Sequence, residues 1–193
     1  MGSKMKVTSK KTYRIVKAIL EMKKFTQYAI SKKENLTFSL VNKVVNWLVS
    51  RGYVVKRTGH YELVSPAAVF NLFPLYRRMK PYTAFDINLS NKEALTLLKG
   101  KGILCLTTAL SCYDDYFRDP AIHVYLTDKK IIEELKALPK GYTRIELYKE
   151  DLSGKDFAKK NGRIVTDKTR TIIDLFCANK AYTAERLIKK EWK

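Results

Sequence analysis
From Leu36 to Val64 the apolar residues follow first a helical period and then a strand-like one. Val41, Val44, Val45 and Leu48 recur at i, i+3, i+4 and i+7, the spacing of a single stripe along an α-helix. Thr37, Ser39, Asn42, Lys43 and Asn46 fall on the opposite side of that helix. Gly52 is positioned to close it, and Arg51 puts positive charge at the negative end of its dipole. The runs YVVKR and HYELV then have strand composition and flank Thr58-Gly59, which fits a two-residue hairpin turn. Upstream, TSKKTYRIVKAILEM predicts a helix over 8–22 with Tyr13, Val16, Ile19 and Leu20 inward. FTQYAISKK predicts a short helix over 25–33 that packs Tyr28 and Ile30.

Two helices, a polar-faced third helix and a basic hairpin make the layout of a winged helix-turn-helix, predicted here for residues 1–64. Ser65-Pro66 interrupts the chain, because a residue before proline leaves helical space. AAVFNLFPLYRRMKP reads as an apolar connector. The remainder alternates: FDINL a strand, Ser90-Asn91-Lys92-Glu93 a capping box opening a helix that runs to Gly100, and ILCLTTALSCYDDYF one long buried helix. AIHVYLT reads as a strand, DKKIIEELKAL as a helix stopped by Pro139, and YTRIELYKE and RIVT as strands. DKTRTIIDLFCANK and the basic AYTAERLIKKEWK complete the chain as helices. The expected class is therefore α+β, with the winged domain followed by a mixed α/β domain over residues 65–193.

Charge sharpens this picture. The chain carries 38 Lys/Arg against 19 Asp/Glu, a formal net charge of +19. Residues 1–64 hold 14 of the basic and 3 of the acidic residues (net +11); residues 65–193 hold 24 and 16 (net +8). An excess concentrated in the first third suits a polyanionic partner, since phosphate contacts release counterions. The 46% hydrophobic and 30% charged fractions are those of a globular protein rather than a disordered one. No run of eighteen apolar residues and no apolar leader occurs, so neither a membrane span nor secretion is expected. Cys105, Cys112 and Cys177 are odd in number and lack a CxxC pair, which fits reduced thiols and a cytoplasmic location.

Double-stranded DNA is thus the expected partner. Asn42 is the candidate for a bidentate contact to adenine, and Lys43 for guanine or a phosphate, with Thr37, Ser39 and Asn46 beside them. Lys56, Arg57 and His60 flank the hairpin turn, placed for a minor groove or for phosphates. Lys4, Lys6, Lys10 and Lys11 form either a phosphate-tracking arm or a solvated tail. Arg77, Arg78 and Lys80, with Arg186, Lys189, Lys190 and Lys193, either extend the DNA footprint or make a solvated face.

Catalytic chemistry is poorly supported. Asp114, Asp115 and Asp119 could hold Mg²⁺ in principle. A nucleotidyltransferase would need a Gly-Ser turn feeding a D-x-D pair, and a nuclease an E-x-K pair. The chain has no such Gly-Ser and D-x-D arrangement, and on the strand-like run YTRIELYKE the Glu146-Leu147-Tyr148-Lys149 spacing is wrong for the nuclease pair. Loop and capping carboxylates are the expected role. With His60 and His123 the only histidines, no histidine-based metal site or triad is expected, and no cofactor is implied. His123 is expected to be structural. Arg170 and Asp174 stand at i, i+4 and are positioned to pair.

Three segments in order resemble the AbiEi family of type IV antitoxins. LVSRGYVVKRTGHYELVSP is similar to that family's wing signature, and TTALSCYDDYFRDPAIHVYLTD to its S.ALALHG…P..IHV segment. RIVTDKTRTIIDLF is similar to its RTL.DL helix, through Thr166, Arg170, Thr171, Ile173, Asp174 and Leu175. The resemblance implies an autorepressor that binds inverted repeats at its own promoter. It also implies an antitoxin that counters its toxin without a stable complex. A two-site operator would require a homodimer or cooperative monomers. Two other readings stay open: a winged-helix regulator that senses a ligand or partner, and a metal-dependent DNA-acting enzyme built on the aspartates.

Overall fold
A computed structural model describes residues 9–151 and 156–192; Lys4, Lys6 and Lys193 lie outside the described residues. Among these it contains nine α-helices and two β-sheets, an α+β architecture. The chain divides into two compact units, Met1–Arg78 with Ile188–Lys193, and Met79–Leu187. The division differs from the boundary at residue 65 expected from Ser65-Pro66. The connector folds as α4 (Pro66–Phe70) and a short 3₁₀ turn, Phe73–Leu75, inside the first unit, and the chain's last turn also belongs to that unit.

The first unit begins with α1 (Lys10–Met22), capped by the Ser9 hydroxyl, which accepts from the Thr12 amide. β1 (Lys24–Phe25), α2 (Gln27–Glu34) and α3 (Phe38–Ser50) follow. The apolar stripe of α3 is completely buried: Val41, Val44, Val45 and Leu48 expose no surface. Gly52 adopts φ 70°, and the Gly52 and Tyr53 amides donate to Val49 and Leu48 carbonyls, which ends the helix where its periodicity ends. β2 (Val54–Arg57) and β3 (His60–Leu63) then pair antiparallel, with Arg57 opposite His60 across Thr58-Gly59. β1 pairs with β3, so the three strands lie in the order β1-β3-β2.

Tyr28 departs from expectation: its side chain is exposed, not packed. α2 starts at Gln27, so the residues one and two turns on from it, Ile30 and Glu34, face inward with it, and Tyr28 is turned out. α4 and the 3₁₀ turn build an aromatic cluster of Tyr13, Phe70, Phe73 and Tyr76, and Trp192 joins it edge-on to Phe70 at 5.2 Å.

The second unit is built on a six-stranded sheet of order β4-β7-β6-β5-β9-β8. Its strands are β4 (Thr83–Ile87), β5 (Gly102–Leu104), β6 (Ile122–Leu126), β7 (Thr143–Lys149), β8 (Phe157–Lys160) and β9 (Arg163–Thr166). β6/β7 and β5/β9 run parallel; the other neighbours are antiparallel. The capping box forms as expected at Ser90 and Glu93, opening α5 (Asn91–Leu97). The segment expected as one long buried helix is instead β5 followed by α6 (Leu106–Leu110). Leu106 sits at φ 48°, which breaks any continuous helix there. β8 is an edge strand that its sequence, FAKK, does not announce.

In the second unit, α7 (Lys130–Lys136) is the crossover that lets β6 and β7 lie parallel, and α8 (Lys168–Cys177) follows β9. β6 is central and buried along Ile122–Tyr125. Alternation sends Ile122 and Val124 into the apolar core with Ile131, Leu135, Ile145 and Leu147, and turns His123 and Tyr125 to the opposite face. α9 (Glu185–Glu191) ends the chain.

Both tryptophans, Trp47 and Trp192, fall in the first unit, so tryptophan fluorescence reports that unit alone. Trp192 also donates its indole N–H to the Leu20 carbonyl at 2.9 Å. Trp192→Ala is expected to destabilise the first unit by about 2 kcal/mol, through lost aromatic burial and one unpaired carbonyl. Denaturant titration followed by the remaining Trp47 emission measures it, and a shift below 0.5 kcal/mol would contradict this account of how the last turn is held.

Candidate nucleic-acid interface and a buried polar network
The polar face of α3 is assembled as its periodicity requires. Thr37 is the N-cap residue, with no hydrogen bond from its side chain into the helix, and Ser39, Lys43 and Asn46 are exposed along the face. Asn42 is only half-buried, and its amide is engaged. Its Oδ1 accepts from Gln27 Nε2 at 3.0 Å and from Asn46 Nδ2 at 3.1 Å. Gln27 Nε2 reaches Tyr61 Oη at 3.1 Å as well, and the Tyr61 ring stacks on Phe25 at 5.8 Å. One hydrogen-bonded chain therefore links the start of α2, the face of α3 and strand β3. The sequence expectation missed Gln27 and Tyr61, because nothing in the spacing marks either as a partner of α3.

At the hairpin, Lys56 and Arg57 are exposed and His60 is half-buried, its Nδ1 against the Thr58 carbonyl at 3.1 Å. Arg57 is not a free cation: it pairs with Glu62 at 3.3 Å, and Lys24 approaches the same carboxylate at 3.6 Å. Both are surface pairs that a phosphate could displace at small cost. Arg51 lies over the Trp47 ring at 4.8 Å, held at the end of α3. Arg77 and Arg78 belong to the first unit, whereas Lys80 and Arg186 belong to the second. Arg186 pairs with Asp114 at 3.2 Å and covers Tyr116, so it is committed locally.

The aspartates expected as loop carboxylates do not converge. Asp114 faces Arg186, and Asp119 lies among Lys180, His123 and Thr107. Among the described residues no group of three or more His, Cys, Asp or Glu side chains is arranged to hold a metal ion. Cys105 and Cys177 are buried and Cys112 half-buried, all without a disulfide. No described helix is long and apolar enough to cross a membrane.

What the second unit does assemble is a polar layer on the face of β6 and β7 opposite the apolar core. The register places His123 beside Glu146 and Tyr125 beside Tyr148. His123 is fully buried between two carboxylates, with Nε2 3.3 Å from Asp119 and Nδ1 3.4 Å from Glu146. Lys180 reaches Asp119 at 2.7 Å, and Tyr148 donates to Glu146 at 2.8 Å. Burial, reinforced by the Lys180 ammonium, lowers the His123 pKa despite the two acids and keeps the imidazole neutral. Burial also opposes ionisation of Asp119, but hydrogen bonds from Lys180, the Ala121 amide and His123 outweigh it and hold its carboxyl far below the usual range. Glu146 is lowered likewise, with Tyr148 and Arg144 overcoming its burial. Alternation along IHVYL and RIELY marks the shared face in the sequence, whereas Lys180, far along the chain, carries no signal.

Beside this layer Arg170 is 1% exposed and Asp174 0%. They pair at 2.8 Å, as their i, i+4 spacing predicts. Tyr125 Oη donates to Asp174 at 2.9 Å and lies 3.0 Å from the guanidinium, while Asp151 and Asp156 complete its surroundings. Arg170 and Asp174 thus act structurally, joining α8 to β6.

No family model matches the chain, and neither a curated protein nor a solved structure matches it.

Two outcomes follow from the polar layer. Asp174→Ala leaves a buried guanidinium with its best partner gone and is expected to cost about 3 kcal/mol in the second unit's unfolding. Circular dichroism in a denaturant series measures this, and an unchanged midpoint would remove the pair's structural role. The pH dependence has a definite sign. Unfolded His123 takes up a proton near its ordinary value of 6.5, and the folded form does so only at lower pH. Its contribution is therefore present above pH 6.5 and lost as pH falls. Asp119 and Glu146, ordinarily 3.8 and 4.5, are both depressed, so theirs is lost on further acidification. Stability should fall in two steps on lowering the pH, and His123→Gln should remove only the first. Stability that rises between pH 7 and pH 5.5 would contradict a neutral buried imidazole.

Proposed function
We propose that this chain is a sequence-specific DNA-binding transcriptional regulator whose first unit is a winged helix-turn-helix. The observation that carries this reading is α3: a helix fixed through a fully buried stripe, with an exposed face of Ser39, Lys43 and Asn46 and a basic hairpin one turn beyond it. A helix meant to enter a major groove needs short polar side chains backed by a rigid apolar side, and α3 has both. The order α1-β1-α2-α3-β2-β3 with a three-stranded antiparallel sheet supports the winged-helix reading. The excess positive charge of residues 1–64 supports a polyanionic partner.

Phosphate contacts from Lys43, Lys56 and Arg57 would supply affinity and orientation, α3 would supply register, and occupancy of a promoter would exclude polymerase. The narrower reading, an autorepressing type IV antitoxin acting on inverted repeats in its own promoter, is supported by the three AbiEi-like segments. A toxin gene beside this one whose growth arrest is relieved by this chain, without a stable complex between the two products, is the result it requires.

Fluorescence anisotropy tests the DNA reading, with duplex from immediately upstream of the gene against a scrambled duplex over a salt series. The expected result is a preference of about a thousandfold or more for the upstream sequence. Lys43→Ala should weaken binding to both duplexes and reduce the salt slope by about 1. Equal, steeply salt-dependent binding to both would leave only a nonspecific basic protein.

A further inference from the structure
We infer that Asn46 is the adenine-reading residue of α3, and that Gln27 sets this preference by fixing the direction of the amide chain Gln27–Asn42–Asn46. The inference rests on α3 entering the groove. Asn42 looks like the natural reader by position, but its carbonyl is spent. Oδ1 accepts from Gln27 Nε2 at 3.0 Å and from Asn46 Nδ2 at 3.1 Å, which occupies both of its lone pairs. Toward solvent Asn42 therefore offers only N–H donors. Adenine presents a donor at N6 beside an acceptor at N7, so its partner must offer an acceptor and a donor side by side. Asn42 cannot do so.

Asn46 can. It lies one turn further along the exposed face and gives one N–H to Asn42. The second N–H and the whole carbonyl oxygen remain, which is the complement of adenine's edge. The direction of the chain is set at its buried end. Gln27 is 8% exposed, and its Nε2 donates to both Asn42 and Tyr61 Oη. A carboxylate at position 27 has only acceptors. Asn42 must then turn its NH₂ toward it, its other N–H meets Asn46, and Asn46 turns to accept. Asn46 would then present its NH₂ and its remaining carbonyl lone pair in exchanged positions, out of register with the N6 donor and N7 acceptor of adenine.

The experiment is selection from a random-core duplex library with the full chain, followed by sequencing, for the wild type, Asn46→Ala, Asn42→Ala and Gln27→Glu. Wild type is expected to enrich a motif containing an adenine position. Asn46→Ala should lose that preference by roughly 5- to 150-fold while the other positions keep theirs. Gln27→Glu should lose the adenine preference at that same position while the other positions keep theirs, a selective loss that a general loss of packing cannot produce. Flattening of every position by Gln27→Glu would report unfolding, and Asn46→Ala then decides alone. Retention of the adenine in Asn46→Ala, or its loss in Asn42→Ala instead, overturns the assignment of Asn46. No enriched motif from wild type overturns the DNA-reading function with it.

Discussion
The second unit depends on a guanidinium taken out of water. Arg170 lies almost fully buried against the equally buried Asp174, and desolvating two such groups is expensive unless their geometry returns the cost. Here the return comes from several elements at once. Tyr125 on β6 bonds to Asp174 and lies beside the guanidinium, Asp156 at the approach to β8 sits 3.7 Å away, and Asp151 completes the shell. Helix α8 therefore has one seating on the sheet that satisfies the charge. Sliding it by a turn would leave Arg170 without Asp156 and Asp174 without Tyr125. A purely apolar contact would tolerate such slippage far better.

That constraint organises the neighbouring layer too. With Tyr125 held by α8, the parallel register of β6 on β7 places His123 beside Glu146, and the helix end beyond α8 delivers Lys180 to Asp119. Neutral His123 lies between two carboxylates that their own cationic and hydroxyl partners keep ionised. The sheet thus has one apolar face and one polar face, both covered. The first unit reaches rigidity by the opposite route. Its third helix is anchored by four residues with no exposed surface, and its hydrogen-bonding side chains lie at the rim, linked through one amide chain.

Legibility in the sequence follows this contrast. α3, the Thr58-Gly59 turn and the Ser90 capping box rest on local periodicity and local hydrogen bonds, and all three are readable from neighbouring residues. The segment ILCLTTALSCYDDYF is not, because a continuous apolar run suits a buried helix and a two-sided buried strand equally. Its first part becomes β5 through pairing with β6 and β9, partners that local sequence cannot name. Tyr28 is expected to pack with Ile30, but the phase of α2 follows Gln27, whose amide is recruited by α3 and β3. The return of Trp192 to the first unit moves the boundary for the same reason. At the candidate interface the exposed face of α3 was legible residue by residue, whereas the engagement of the Asn42 carbonyl was not, since its donor lies fifteen residues upstream.

On the proposed DNA-binding reading, the amide chain also bears on how affinity and specificity would divide over the first unit. The outward face of α3 carries a single cation, Lys43, among neutral amides and hydroxyls, so most of its contacts would discriminate bases without contributing a salt-sensitive term. The hairpin offers Lys56 and Arg57, but Arg57 is partly neutralised by Glu62, which Lys24 also approaches. Bringing Arg57 to a phosphate would release Glu62 to Lys24, so the hairpin could engage DNA without stranding a carboxylate. The cost of breaking so exposed a pair is below about 1 kcal/mol. A charge-assisted bond to phosphate is worth more than that. Under that proposal the pair would hold the hairpin's arginine in place before the encounter and yield when a phosphate arrives, leaving the amides of α3 to discriminate between sequences.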